Sequence, residues 1–154
     1  MFGNKYLIPV VSGVCFCIAL ISCNHAKQLE ENISSHGKSE SHNQGLNCMD
    51  CHKKGGEGEG WFYIAGTAYH ANEQSPAKDV TVLMYTQPDG QGSPKYTIEG
   101  DQLGNFYTTA ITGFGAGLYP AIIFNSDTSY MASSITNGAC NSCHGVSTTR
   151  ITVD

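Results

Sequence analysis

One five-residue pattern occurs twice in this chain, as Cys48-Met49-Asp50-Cys51-His52 and as Cys140-Asn141-Ser142-Cys143-His144, with most of the globular part between the copies. Each reads CxxCH, the attachment sequence for c-type haem. The spacing has a chemical reason. Two thiols one short turn apart add to the two vinyl groups of one macrocycle, and the adjoining imidazole is then fixed beneath the iron. The pair predicts two covalently bound haem c groups, with Cys48, Cys51, Cys140 and Cys143 as thioethers and His52 and His144 as proximal iron ligands. A domain this small has little core of its own, and two haems would add apolar surface as well as chemistry.

Other uses of the same residues fit less well. Paired CxxC knuckles commonly bind zinc, but such knuckles usually sit roughly 15–20 residues apart. Dithiol redox chemistry leaves the His after each pair unexplained. Of seven cysteines, four lie in the motifs and Cys15, Cys17 and Cys23 fall in the N-terminal apolar segment. No mature thiol is left for a disulfide scaffold.

That N-terminal segment reads as a targeting signal. Lys5 precedes an apolar run over 7–21 broken only by Pro9, Ser12 and Gly13. It is short for a bilayer span and no basic stop-transfer cluster follows. Its end, Leu20-Ile21-Ser22-Cys23, resembles the lipobox of bacterial lipoprotein signal peptides. The resemblance implies cleavage of residues 1–22 and a diacylglycerol on Cys23, a paired-chain anchor strong enough to hold. An ordinary secretory signal or an uncleaved anchor is the alternative. In each case the chain is exported, which agrees with haem c assembly outside the cytoplasm. Residues 23–45 are polar and predict a flexible tether. It carries His25, His36 and His42, solvated side chains on this reading, with His42 and less readily His36 near enough in sequence to reach the first haem.

Residues 46–60 hold the first motif and a glycine-rich joint, with Lys53 and Lys54 as candidate propionate partners. From Trp61 the pattern becomes β-like. Strands are expected over 61–69, 80–85, 95–99, 106–111 and 119–124, with a weak one over 130–135, and Pro88-Asp89-Gly90 reads as a turn. Residues 61–136 are therefore expected to form a small antiparallel β-sandwich, mainly β, flanked by the two haem segments. Residues 137–154 carry the second motif and the C-terminal segment.

Gly66-Thr67-Ala68-Tyr69, then Pro76-Ala77-Lys78-Asp79-Val80-Thr81-Val82, then Asp101-Gln102-Leu103-Gly104-Asn105-Phe106-Tyr107 resembles carboxypeptidase-regulatory-like domains, which are transthyretin-like or immunoglobulin-like sandwiches. Ala68 and Gly100 depart from that pattern. The order of haem motif, sandwich and second haem motif resembles small dihaem c-type cytochrome lipoproteins of bacteria. That resemblance implies haem binding and the sandwich fold. If the strands beside the two motifs are antiparallel neighbours, both haems fall at one pole and can exchange electrons.

The distal ligands are open at this level. Met131 precedes the second motif by enough residues to loop over a haem face, where a thioether raises the potential relative to bis-His ligation; it reads equally as a gap-filling core Met. His70 ends the first strand and is a second candidate, with an exposed turn His as its alternative. His42 is the third. Met84 reads as core, and Met49 sits inside its own loop. Trp61, Phe62, Tyr119 and Tyr130 are candidates to pack on porphyrin. If no side chain binds, a five-coordinate iron takes small ligands.

Thirteen acidic side chains face eight basic ones; losing Lys5 leaves seven, hence about −6 before propionates. This argues against a nucleic-acid partner and favours basic redox proteins or cation-rich surfaces; the expected partners are redox proteins or extracellular electron acceptors, with self-association open. No P-loop, dinucleotide fingerprint or nucleophile–base set appears. The expected function is electron transfer in the cell envelope by a lipid-anchored dihaem carrier. A haem enzyme or sensor for peroxide or a diatomic gas is the second reading, and an adhesion or glycan-binding sandwich with subsidiary haems the third.

Overall fold

The computed structural model describes residues 32–110 and 112–154. The segment expected to be a targeting signal, Cys23 and His25 lie outside the described residues. The described chain is mainly β, with helix only as 3-10 turns. Eight strands form two sheets: β1 Ile64–His70, β2 Thr81–Tyr85, β3 Tyr96–Glu99, β4 Asn105–Thr108, β5 Tyr119–Phe124, β6 Asp127–Tyr130, β7 Gly138–Ala139 and β8 Ile151–Val153. The second sheet, in order β3-β2-β5-β6, is wholly antiparallel. The first has β1 at its centre, antiparallel to β4 on one side and parallel to β7 and β8. The expected strands over 80–85, 95–99 and 119–124 fall where they were placed to within a residue. The weak strand expected over 130–135 lies earlier, at β6, with Ile135 left as a single bridge to Leu118.

The inter-sheet core joins Ile64, Ala68, Phe106 and Val153 of the first sheet to Val82, Met84, Ile98 and Ile122 of the second. β1 is buried on both faces. Because side chains alternate along a strand, Ile64 and Ala68 point inward while Ala65 faces outward, into a second cluster with Phe62 and Tyr107 against which Cys48 and Met49 pack. A strand with two covered faces needs small or apolar side chains throughout, which explains Ala65-Gly66-Thr67-Ala68.

Residues 32–45 correct the expectation of a free tether, because they run along the sandwich. Ser34 is buried, with its N–H and Tyr107 C=O 3.0 Å apart. His36 Nε2 meets Val80 O at 3.0 Å, and Gly37 N–H donates to Asp79 at 2.8 Å. Such a polar segment cannot form a core alone. It is ordered here by sheet edges and turns that need hydrogen-bond partners.

The topology also changes the route by which the motifs meet. The second motif does not leave the last strand. β7 and β8 lie in line beside β1, pairing Ile64↔Gly138 and Ala68↔Ile151, and the motif is the loop that departs between them. The pairing there is parallel, so the antiparallel-neighbour argument does not apply.

Candidate functional site

The two CxxCH copies share little sequence beyond their defining residues, yet fold into the same turn. Cys48–Asp50 and Cys140–Ser142 each form a 3-10 turn. His52 N–H donates to Cys48 O at 3.0 Å, and His144 N–H to Cys140 O at 3.0 Å. In both copies the imidazole is then fixed by a backbone carbonyl: His52 Nδ1–H donates to Glu59 O at 2.8 Å, and His144 Nδ1–H to Thr149 O at 2.9 Å. A carbonyl acceptor fixes the Nδ1–H tautomer and leaves the Nε2 lone pair for a metal, the usual outer-shell support of a ligating His.

The glycine-rich run after the first motif is not a loose joint. Gly58 N–H donates to Cys51 O at 3.0 Å, and a Cβ on Gly58 would stand 2.7 Å from the His52 ring. At Gly58 the backbone comes this close to the imidazole only because the position lacks a side chain. Phe62 stacks on the other side of His52 with centroids 4.1 Å apart, and Tyr107 stacks on Phe62 at 4.8 Å. His52 is thus buried among apolar groups on the outer face of the first sheet.

The second motif opens on a cavity of about 450 Å³ at the sandwich edge. Its wall includes Cys140, Cys143, His144, Met131, Phe106 and Tyr130. This lies within the size range of small-molecule and cofactor sites, and the donor set suits a haem. Met131 therefore shares a cavity with His144. His70 does not line it; its ring packs edge-on against Phe124 at 5.3 Å. Met84 is fully buried, as a core residue should be. Lys53 and Lys54 are exposed.

A buried polar network, which the sequence reading missed, joins the two motifs. Thr67 and Asn105 are 1% exposed and Asn141 3%. Thr67 N–H donates to Asn141 Oδ1 at 3.1 Å, and Thr67 Oγ1 donates to Asn105 Oδ1 at 2.7 Å. Asn141 Nδ2 donates to Thr67 Oγ1 at 3.0 Å and to Leu46 O at 2.9 Å. Gly45 N–H completes the set on Thr67 Oγ1 at 2.9 Å. Asn141 is an unspecified position of the second CxxCH, and Leu46 lies just ahead of the first. Only a polar residue at an outward, sheet-centre position such as Thr67 hinted at it.

Burial acts on the thiols unequally. It pushes Cys140 up to about 12, with smaller upward contributions from Cys48 and Cys143, and raises Cys48 as well. Cys51 and Cys143 are exposed. In the haem-free protein, Cys140 should alkylate on the order of 10³-fold more slowly than an ordinary thiol at pH 8, because the thiolate is the nucleophile. A folded-state value above the unfolded one means the native thiol keeps its proton longer. Haem-free stability should therefore fall as pH rises from about 9 towards 12, and this dependence should vanish once the sulfur is a thioether. Mass-resolved alkylation checks the first, with equal rates at all four motif thiols contradicting it; denaturant unfolding across that pH range checks the second, with a pH-independent stability contradicting it.

No family model, curated protein or solved structure matches the chain. The site must be read from its own geometry. Among the described residues no three His, Cys, Asp or Glu side chains gather as a metal-binding group. The motifs thus do not pool their ligands around one point as a shared tetrahedral zinc site would require.

Proposed function

We propose that this chain is a dihaem c-type cytochrome that carries electrons in the cell envelope of a bacterium, held to a membrane by lipid on Cys23. The observation that carries the reading is the repeated turn: two unlike CxxCH copies with the same hydrogen bonds, each presenting an imidazole with Nδ1 held and Nε2 free. Cys48 and Cys51 would hold one haem on the outer face of the first sheet, and Cys140 and Cys143 the other at the sandwich edge. When bound, each haem supplies a one-electron couple. The chain's own residues orient it: Glu59 and Thr149 carbonyls set the proximal imidazoles, Phe62 shields His52, and Phe106 lines the second cavity. Met131, on the wall of that cavity, is the distal ligand we assign to the second iron. A thioether there would raise its potential.

An electron carrier is the reading the net acidic composition suits, since it matches basic redox partners. The adjacent motifs support transfer within one molecule. Reductive titration tests this: the protein should take up two electrons per chain, and Cys140→Ala/Cys143→Ala should leave one. Uptake of two electrons by the double variant would overturn the assignment.

A further inference from the structure

His42 lies in the segment first read as a solvated tether, yet the fold brings its ring to 5.9 Å from that of His52, centroid to centroid, with the planes 35° apart. The separation is too long for a stacked pair; His52 and Phe62, which do stack, are at 4.1 Å. It matches a different arrangement. With metal–imidazole bonds of about 2 Å, and each ligating nitrogen about 1 Å from its ring centre, two imidazoles on opposite sides of one metal have centroids about 6 Å apart.

The backbone carrying His42 is positioned, not loose. Asn105 Nδ2 donates to Ser41 Oγ at 2.8 Å and to His42 O at 3.3 Å. On the other side, Leu46 N–H donates to Asn43 O at 3.1 Å, closing a turn in which Asn43 takes φ 54°. That is a left-handed conformation Asn tolerates better than most residues. Gly45 is pinned to Thr67. The His42 ring is exposed, and only His36 of the other histidines in this segment is described; it is engaged with Val80 O at 3.0 Å. His52 commits Nδ1 to Glu59, so its Nε2 is the atom left for a metal. The donor set at the first motif is then two thiols and two imidazoles, which suits a covalently held, six-coordinate haem iron.

We infer that His42 is the distal ligand of the first haem, making that site bis-imidazole and the two haems inequivalent. This rests on the dihaem reading. With thioether ligation at the second site, the first would hold the lower potential. The buried network that pins residues 41–46 to Asn105 and Thr67 would then set the distal ligand of one haem from the same side chains that hold the turn of the other.

The test uses the full, haem-loaded protein and His42→Ala, with His36→Ala as the control. Covalent haem is counted first, by pyridine haemochrome. Two haems per chain in both variants are expected; fewer than two in the wild type would overturn the dihaem reading and this inference with it. Electron paramagnetic resonance and visible spectra then report spin state. His42→Ala should convert one haem of the two from low to high spin, and His36→Ala none. Adding imidazole to His42→Gly should restore the low-spin signal, with one more equivalent bound than in the wild type. Two haems with an unchanged spin state in His42→Ala would overturn the inference while leaving the dihaem reading in place. A variant that changes spin state but is not rescued by imidazole would equally overturn direct ligation.

Discussion

Asn141→Ala should lower the unfolding free energy of the protein by about 2–4 kcal/mol, because it strands several buried polar groups at once. Asn141 accepts from Thr67 N–H and donates to Thr67 Oγ1 and Leu46 O, all in a site where the side chain is 3% exposed. Each stranded donor or acceptor costs about 1–3 kcal/mol when water cannot replace its partner, and part of this is recovered where the smaller side chain lets water in. The loss is a large share of the 5–15 kcal/mol that typically stabilises a domain. Guanidinium unfolding followed by circular dichroism reads it directly. A change below about 0.5 kcal/mol, the usual range for surface substitutions, would show that the network is not holding the motifs together.

Phe106→Ala should be more damaging still, by about 3–5 kcal/mol. Phe106 is 2% exposed, belongs to the inter-sheet core and also walls the cavity beside Cys140. Its ring lies against the backbone of β1, where a Cβ on Gly66 would collide with Phe106 Cζ and stand 2.9 Å from Cys140 Cβ. Truncating the ring therefore opens space in the inter-sheet core and enlarges the cavity beside Cys140. The same unfolding measurement checks it, and Phe106→Leu, which refills most of the volume, should recover more than half of the loss. Equal effects from Ala and Leu would point to something other than packing at this position.

The local elements were legible where one rule acted alone. Val80-Thr81-Val82-Leu83-Met84-Tyr85 and Tyr119-Pro120-Ala121-Ile122-Ile123-Phe124 read as strands from β-branched and aromatic residues, and they are strands. β7 and β8 escaped because two- and three-residue strands have no period to detect. They exist through their pairing with β1, a contact made across the whole domain. The segment over 32–45 was misjudged for a related reason. Composition measures what a stretch can bury by itself, whereas Ser34, His36 and Gly45 are fixed by acceptors and donors elsewhere on the fold.

At the site, the CxxCH residues announce themselves, since their chemistry is written in contiguous spacing. What surrounds them is not. Glu59 and Thr149 contribute backbone carbonyls, for which side-chain identity carries no signal. The run over 55–60 has the composition of a linker, yet at Gly58 the lack of a side chain serves close approach to His52. Met131 lies on the cavity wall with His144, whereas His70, the second candidate from sequence, packs against Phe124. Asn105, which the sequence offered only within a resemblance motif, hydrogen-bonds the residues that present His42.

The most direct test of the account is the intact mass of the mature protein produced in a cell envelope competent to attach haem c. The account predicts a chain that begins at a diacylated Cys23 and carries the mass of two covalent haems, placed by proteolysis on Cys48/Cys51 and Cys140/Cys143. A protein exported to the same compartment with neither haem, and with four unmodified motif thiols, would contradict it.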